Sequence, residues 1–230
     1  MAGRPPKIET VRNAFDAVRK SSDQLVTDIT PFLSGSYQHG KRALKRKQAE
    51  RIVAFSFLLL VAGWEEFVFW LTLRYMMGAS APNGFRPALV GACSHSLLAA
   101  ARTLTGRPNF DPEYRYHVWK DWTEVIADAQ NFFAAGQPFA AVTAADQTLL
   151  SYAQTIRNRV AHRSKKCVAE FRNIAKLHFG LNAGDPISNG TDAGRLLSST
   201  VTHLFAPNAN QRYYDAYSEL FHRLSRQIAP

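Results

Sequence analysis

The sequence has few of the patterns that mark the common enzyme classes. It contains two cysteines, Cys93 and Cys167. They are too far apart for a metal-ligand spacing and too few for a disulfide framework. The seven histidines are scattered, with no His-x-x-x-His or His-Glu pair of the zinc-enzyme kind, so no metal site is expected. No Gly-rich phosphate loop of the Walker or dinucleotide type occurs, and no Gly-x-Ser-x-Gly elbow. No cofactor is therefore expected. Internal repeats and strand-like alternation are also missing, which argues against a sheet-built fold. The amino terminus, Met-Ala-Gly-Arg-Pro-Pro-Lys, carries no apolar leader, and a cytoplasmic location is expected.

Apolar residues at helical spacing and a surplus of positive charge are both present. Of the 230 residues 46% are hydrophobic and the net charge is +10. That much apolar matter can build a real core. The charge attracts polyanions, nucleic acid above all; a basic surface without a specific anion is the plainer alternative.

Residues 1–7 read as a loose tail. Ile8, Val11, Phe15, Val18, Leu25 and Val26 follow a helical pattern, which Pro31, Gly35 and Gly40 are expected to interrupt. The run Lys41-Arg42-Ala43-Leu44-Lys45-Arg46-Lys47, with Arg51 beyond, can contact phosphates or form a solvated helix edge.

Residues 52–77 are long and apolar enough to suggest a membrane span, but Glu65 and Glu66 interrupt them. Each charge near a bilayer centre costs about 2.5–3.5 kcal/mol on insertion scales. A central bundle helix is the better reading, with no membrane association. Turn-rich stretches at 78–92 and 106–112 flank a short helix over 94–104. Val118, Trp122, Val125, Ala129 and Phe132 mark another amphipathic helix. Its aromatics suit a core better than base stacking.

Thr143 is a candidate N-cap for the next helix, with Asp146 three residues on. Helix is expected again over 166–179. Residues 180–210 are irregular, with an apolar island at 196–204 that can form a short helix. Tyr217, Leu220, Leu224 and Ile228, with Phe221 beside them, mark a last helix that closes the bundle or meets a second protomer. The expected fold is all-α: an up-down helical bundle with a loop-rich region before the C-terminal helix. One domain is expected over 8–230, with an irregular insertion around 180–210.

Helix 143–162 carries the distinctive chemistry. Leu149, Ala153, Ile156 and Val160 form one apolar stripe, while Asn158 and His162 share a face, four residues apart. Arg159, His162, Arg163 and Lys166 run along that polar side. A buried-helix carboxylate needs a partner, so Glu65 or Glu66, with Glu66 preferred, is expected to orient Arg157.

The string Arg157-Asn158-Arg159-Val160-Ala161-His162 resembles the signature of the HEPN superfamily: Arg, a polar residue, then His after four to six intervening residues. A second string, Arg172-Asn173 with His178, also fits the spacing. The first is preferred because it ends a clear amphipathic helix. In the second, His178 lies among apolar neighbours before Gly180. The resemblance implies a compact α-helical domain that dimerises, and in many members a metal-independent endoribonuclease whose site combines the motifs of two protomers. A toxin or phage-defence setting, with an antitoxin or regulatory protein as partner, rests on the same analogy.

The implied reaction is attack of a ribose 2′-OH on its own phosphodiester. An imidazole titrating near neutrality suits the proton transfers. A guanidinium suits the charge that develops on phosphorus-bound oxygen. On this reading His162 is the acid or base, Arg157 the phosphate clamp and Asn158 the positioning group. Arg159, Arg163, Lys165 and Lys166 supply affinity for RNA. The competing readings are a noncatalytic helical module binding nucleic acid or a protein, and a membrane-associated protein using residues 52–77.

Overall fold

A computed structural model of the chain describes residues 7–33, 44–92, 94–115, 117–206 and 208–230. The tail 1–6, Cys93, and Lys41, Arg42 and Ala43 of the basic run lie outside the described residues.

The periodic segments fold as helices. In α1 (Ile8–Leu33) the residues Ile8, Val11, Phe15, Ser22, Val26 and Ile29 are buried, at spacings of three, four and seven that hold one face. The helix runs past Pro31 rather than stopping before it. A proline in the last turn forfeits a single i−4 hydrogen bond.

Helix α2 (Arg46–Met76) begins where Lys45 N–H donates to the side chain of Gln48 (2.8 Å), the reciprocal half of a capping box. It is the one helix among the described residues long and apolar enough to cross a membrane. However, 56% of its apolar window is buried by the rest of the chain, the placement of a core helix.

Then follow α3 (Leu97–Thr105), capped by the Ser96 hydroxyl, and α4 (Trp122–Phe132), capped by Asp121. Val118 and Trp119, expected inside the latter helix, precede it: the Asp121 carboxylate takes the N–H groups of Thr123 and Glu124 and fixes the start there. Two 3₁₀ turns lead into α5 (Ala144–Ala161), then α6 (Lys165–His178), α7 (Ala193–Leu197) and α8 (Tyr213–Ile228). The fold is all-α. Its only described sheet pairs β1 (Thr200–Val201) with β2 (Asn208–Arg212), antiparallel, within the stretch read from sequence as irregular.

The spacing pattern reads as one domain, yet the chain groups into two compact units. The first comprises Met1–Ala17, Ala62–Leu150 and Phe221–Pro230, the second Val18–Val61 and Ser151–Leu220. Composition gives no warning of this, because the boundaries fall inside helices, where no Pro- or Gly-rich linker is needed.

An aromatic cluster organises the first unit. Trp64 meets Trp122 at 5.8 Å and Phe221 at 5.3 Å between ring centroids, and Phe15 stacks on Phe67 at 5.2 Å. Such pairs each add about 0.5–1.5 kcal/mol beyond burial. Thr143 caps α5: its hydroxyl accepts from Asp146 N–H and donates to the Asp146 carboxylate. Burial alone would push the Asp146 carboxyl up. The bonds from Arg223 and Thr143, with the Arg223 charge, outweigh that and hold it below the usual carboxylate value.

In the second unit Phe57 packs edge-on against Tyr217 (5.3 Å) and Tyr214 (6.4 Å). Asp23 gathers Arg19, Tyr214 and Ser218 around one carboxylate. Helix α7 lies hard against α2 at Gly194. A Cβ added there would stand 2.0 Å from the Glu50 carbonyl oxygen, a distance real Cβ atoms do not reach. Replacing Gly194 by Ala should therefore force the two helices apart and destabilise the protein by about 1–3 kcal/mol, the usual range for overpacking. Urea unfolding measures this as a lower midpoint at unchanged slope. An unshifted midpoint would mean that α7 is not held against α2.

Candidate active site

Helix α5 delivers its last turns as the site. Leu150, Ala153 and Ile156 are buried, whereas Arg157, Asn158, Arg159 and Val160 are half-buried. Beyond Ala161 the His162 N–H still donates to the Asn158 carbonyl (2.8 Å), so the helical path carries the histidine with it. Ser164 then ends the break. Its backbone is extended and its hydroxyl accepts from Cys167 N–H (3.2 Å), starting α6. Three residues, His162-Arg163-Ser164, thus form an elbow between the C-terminus of one helix and the N-terminus of the next.

On this elbow His162 is exposed, as are Arg163, Lys165 and Lys166. The Arg157 Nη1 donates to Asn158 Oδ1 at 3.1 Å, so the polar residue of the motif holds the guanidinium beside it. Arg159 reaches the His162 carbonyl (3.4 Å), where a cation also meets the negative end of α5. Lys166 pairs with Glu170 at 3.8 Å, both side chains largely exposed, a contact of little energetic weight. Among the described residues no side chain bonds the His162 imidazole.

The two glutamates differ in exposure. Glu66, preferred as the partner of Arg157, is exposed, and its carboxylate accepts from the Trp70 indole N–H one turn along α2 (3.2 Å). Glu65 is the half-buried member. The reason is geometric: adjacent helix residues differ by about 100° in direction, and the sequence does not say which direction is inward. Within the motif itself, Asn158 accepts from Arg157.

The second Arg-Asn-His string is separated by the fold. Arg172 and Asn173 are exposed, but His178 is fully buried. Its Nδ1 lies 2.8 Å from the Ile174 carbonyl and its Nε2 2.9 Å from the Tyr217 hydroxyl. A carbonyl only accepts, so Nδ1 carries the proton and Nε2 accepts from Tyr217. Burial pushes this imidazole down to about 4, against a smaller upward pull from the Ile174 carbonyl. It is a neutral core group, closed to substrate.

No group of three or more His, Cys, Asp or Glu side chains able to hold a metal comes together among the described residues. Sequence reading passed over Phe55, treating it as core. It is 57% exposed, one turn after Arg51 on α2, and it lines a groove with Arg159 and Arg163. The Arg51–Phe55 spacing of four was the available signal. No family model matches the chain, and no curated protein or solved structure shows significant similarity to it.

The buried His178 makes stability depend on pH. Its folded value of about 4 lies below its ordinary 6.5. Above pH 6.5 both folded and unfolded chains hold it neutral and its contribution is complete. As pH falls from 6.5 to 4 the unfolded chain binds the proton first, and roughly 3 kcal/mol is lost. Urea midpoints at pH 7.5, 5.5 and 4.5 should drop accordingly, and His178→Phe should start lower at pH 7.5 but respond less to acid. Equal acid sensitivity in both proteins would assign the effect elsewhere.

Proposed function

We propose that the chain is a metal-independent endoribonuclease of the HEPN type, acting as a two-fold dimer. The observation that carries this reading is the Arg157–Asn158 bond on the helix end that leaves His162 exposed beside cations. In the reaction an imidazole removes the 2′ proton and the 2′ oxygen attacks phosphorus. The bond to the 5′ oxygen breaks, and that oxygen takes a proton as it leaves. The products are a 2′,3′-cyclic phosphate and a 5′-OH end. One His162 serves as base and a second, from another copy of the chain, as acid, which is why two copies are required. Arg157 spans the non-bridging oxygens as negative charge grows there, held in aim by Asn158. Arg159, Arg163, Lys165 and Lys166 neutralise neighbouring phosphates. Cellular RNA as substrate, a toxin or phage-defence role, an antitoxin partner and a cytoplasmic location belong to the same proposal and rest on the family resemblance.

A second reading, a noncatalytic module that binds nucleic acid or a protein, is favoured by one observation. Among the described residues the His162 ring has no orienting partner, whereas catalytic imidazoles are usually oriented by a hydrogen bond.

End-mapping of labelled RNA in EDTA separates the two. The native protein should release 2′,3′-cyclic phosphate ends. His162→Ala should cut at least 100-fold more slowly, the lower bound for losing a general acid or base, while binding RNA within a few-fold of native. Arg157→Lys should also cut slowly, since a point charge replaces the fork. Sedimentation should show a dimer at assay concentration. RNA binding without cleavage would decide for the module, and equal cleavage by His162→Ala would remove His162 from the reaction.

A further inference from the structure

Two grooves meet at Arg163, both within the second unit. One, of about 430 Å³, runs between α2 and α5, with Arg51, Phe55, Arg159 and Arg163 on its walls and the side-chain-free Gly194 in its lining. The other, of about 650 Å³, lies between α6 and the 185–189 loop, with Arg163, Lys165, Arg172 and Lys176 along it. Arg163 lines both, so the two grooves adjoin at the elbow and a path from one to the other crosses that side chain.

We infer that this path is a binding track for a single-stranded polynucleotide, with one base stacked on Phe55 and its backbone running over Arg163 into the α6 groove. Three features select that ligand. First, positive charge is in excess: Arg51, Arg159, Arg163, Lys165, Arg172 and Lys176 line the grooves against two carboxylates, Asp185 and Asp192. Among the described residues no carboxylate pairs with Arg51, Arg163, Lys165 or Arg172. Asp185 and Asp192 instead accept from the backbone N–H groups of Asn182 and Arg195. Second, the cations are spread along the path, which fits a chain of phosphates better than one small anion. Third, a large exposed ring stands among them. An unstacked base offers a flat π face to such a ring, and the bases of a duplex, stacked on one another, do not. A lipid surface does not enter a concave path.

The inference rests on the proposed RNA cleavage only for the identity of the strand as RNA. Binding is therefore tested with a fluorescent oligothymidylate, which has no 2′-OH and is not cut by that chemistry. Anisotropy is measured over a range of salt concentrations, beside a hairpin duplex of equal charge and vesicles of phosphatidylcholine with phosphatidylserine. The oligothymidylate should bind more tightly than either. Phe55→Ala should weaken it about 5–100-fold, the span of one aromatic–base stack, with the salt slope unchanged, and Phe55→Trp should restore it. Lys165→Gln with Arg172→Gln should lower the slope by about 1.4, two phosphates at roughly 0.7 each. Native-like binding by Phe55→Ala overturns the stacking site. Tighter binding to the duplex or to the vesicles, or an unchanged slope in the double variant, overturns the track. These results leave the cleavage test at His162 standing on its own.

Discussion

The hydrogen bond between the Tyr217 hydroxyl and the His178 imidazole decides the chemistry of the second unit. It ties the end of α6 to α8 in the buried interior, where desolvation keeps the ring neutral. The Tyr213 hydroxyl donates to the His178 carbonyl beside it and also takes the His203 N–H. Tyr213 therefore satisfies the last carbonyl of α6, which would otherwise be buried with fewer partners, and Tyr217 satisfies the ring beside it. With that turn fixed inward, the opposite face of α6 must lie outward. This is the face that carries Arg172 and Asn173.

Much of the fold is legible in the sequence because helix ends and helix faces are local properties. Thr143 and Asp146 announce the start of α5 by their spacing, and the hydroxyl–carboxylate exchange between them is present. Tyr217, Leu220, Leu224 and Ile228 announce the inner face of α8, and all four are buried. What stays hidden is set by distant residues. His162 and His178 both close a helix after an Arg-Asn pair, and residues distant in sequence, Tyr152, Tyr213 and Tyr217, enclose the second ring and make it a core group. Likewise hydropathy marks Phe55 and Leu59 as apolar but does not say what covers them. The answer, very little, depends on where α5 and α7 come to rest. The short sheet is hidden for the same reason: Thr200 meets Arg212 only after the intervening loop has closed.

The candidate site shows the same division. That Asn158 steadies Arg157 is a near-neighbour matter and follows from adjacency. That Glu66 turns to Trp70 is a matter of helix phase, which an all-round apolar stretch conceals. Charge adds a further layer. The total of +10 is legible, but not which cations are already matched. Arg223 is engaged by Asp146 and Arg212 by Asp215, whereas the elbow and the grooves beside it keep most of their charge unmatched.

The elbow at His162-Arg163-Ser164 has one more consequence. Ser164 caps α6 immediately after the histidine, so there is almost no slack between the imidazole and the cations of the following helix. Substitutions that recolour the surface of α6 leave that spacing untouched. One inserted or deleted residue would change the distance and direction from the imidazole to all the cations of α6 at once. In descendants of this chain, length at the hinge is thus expected to drift far less than residue identity on either side.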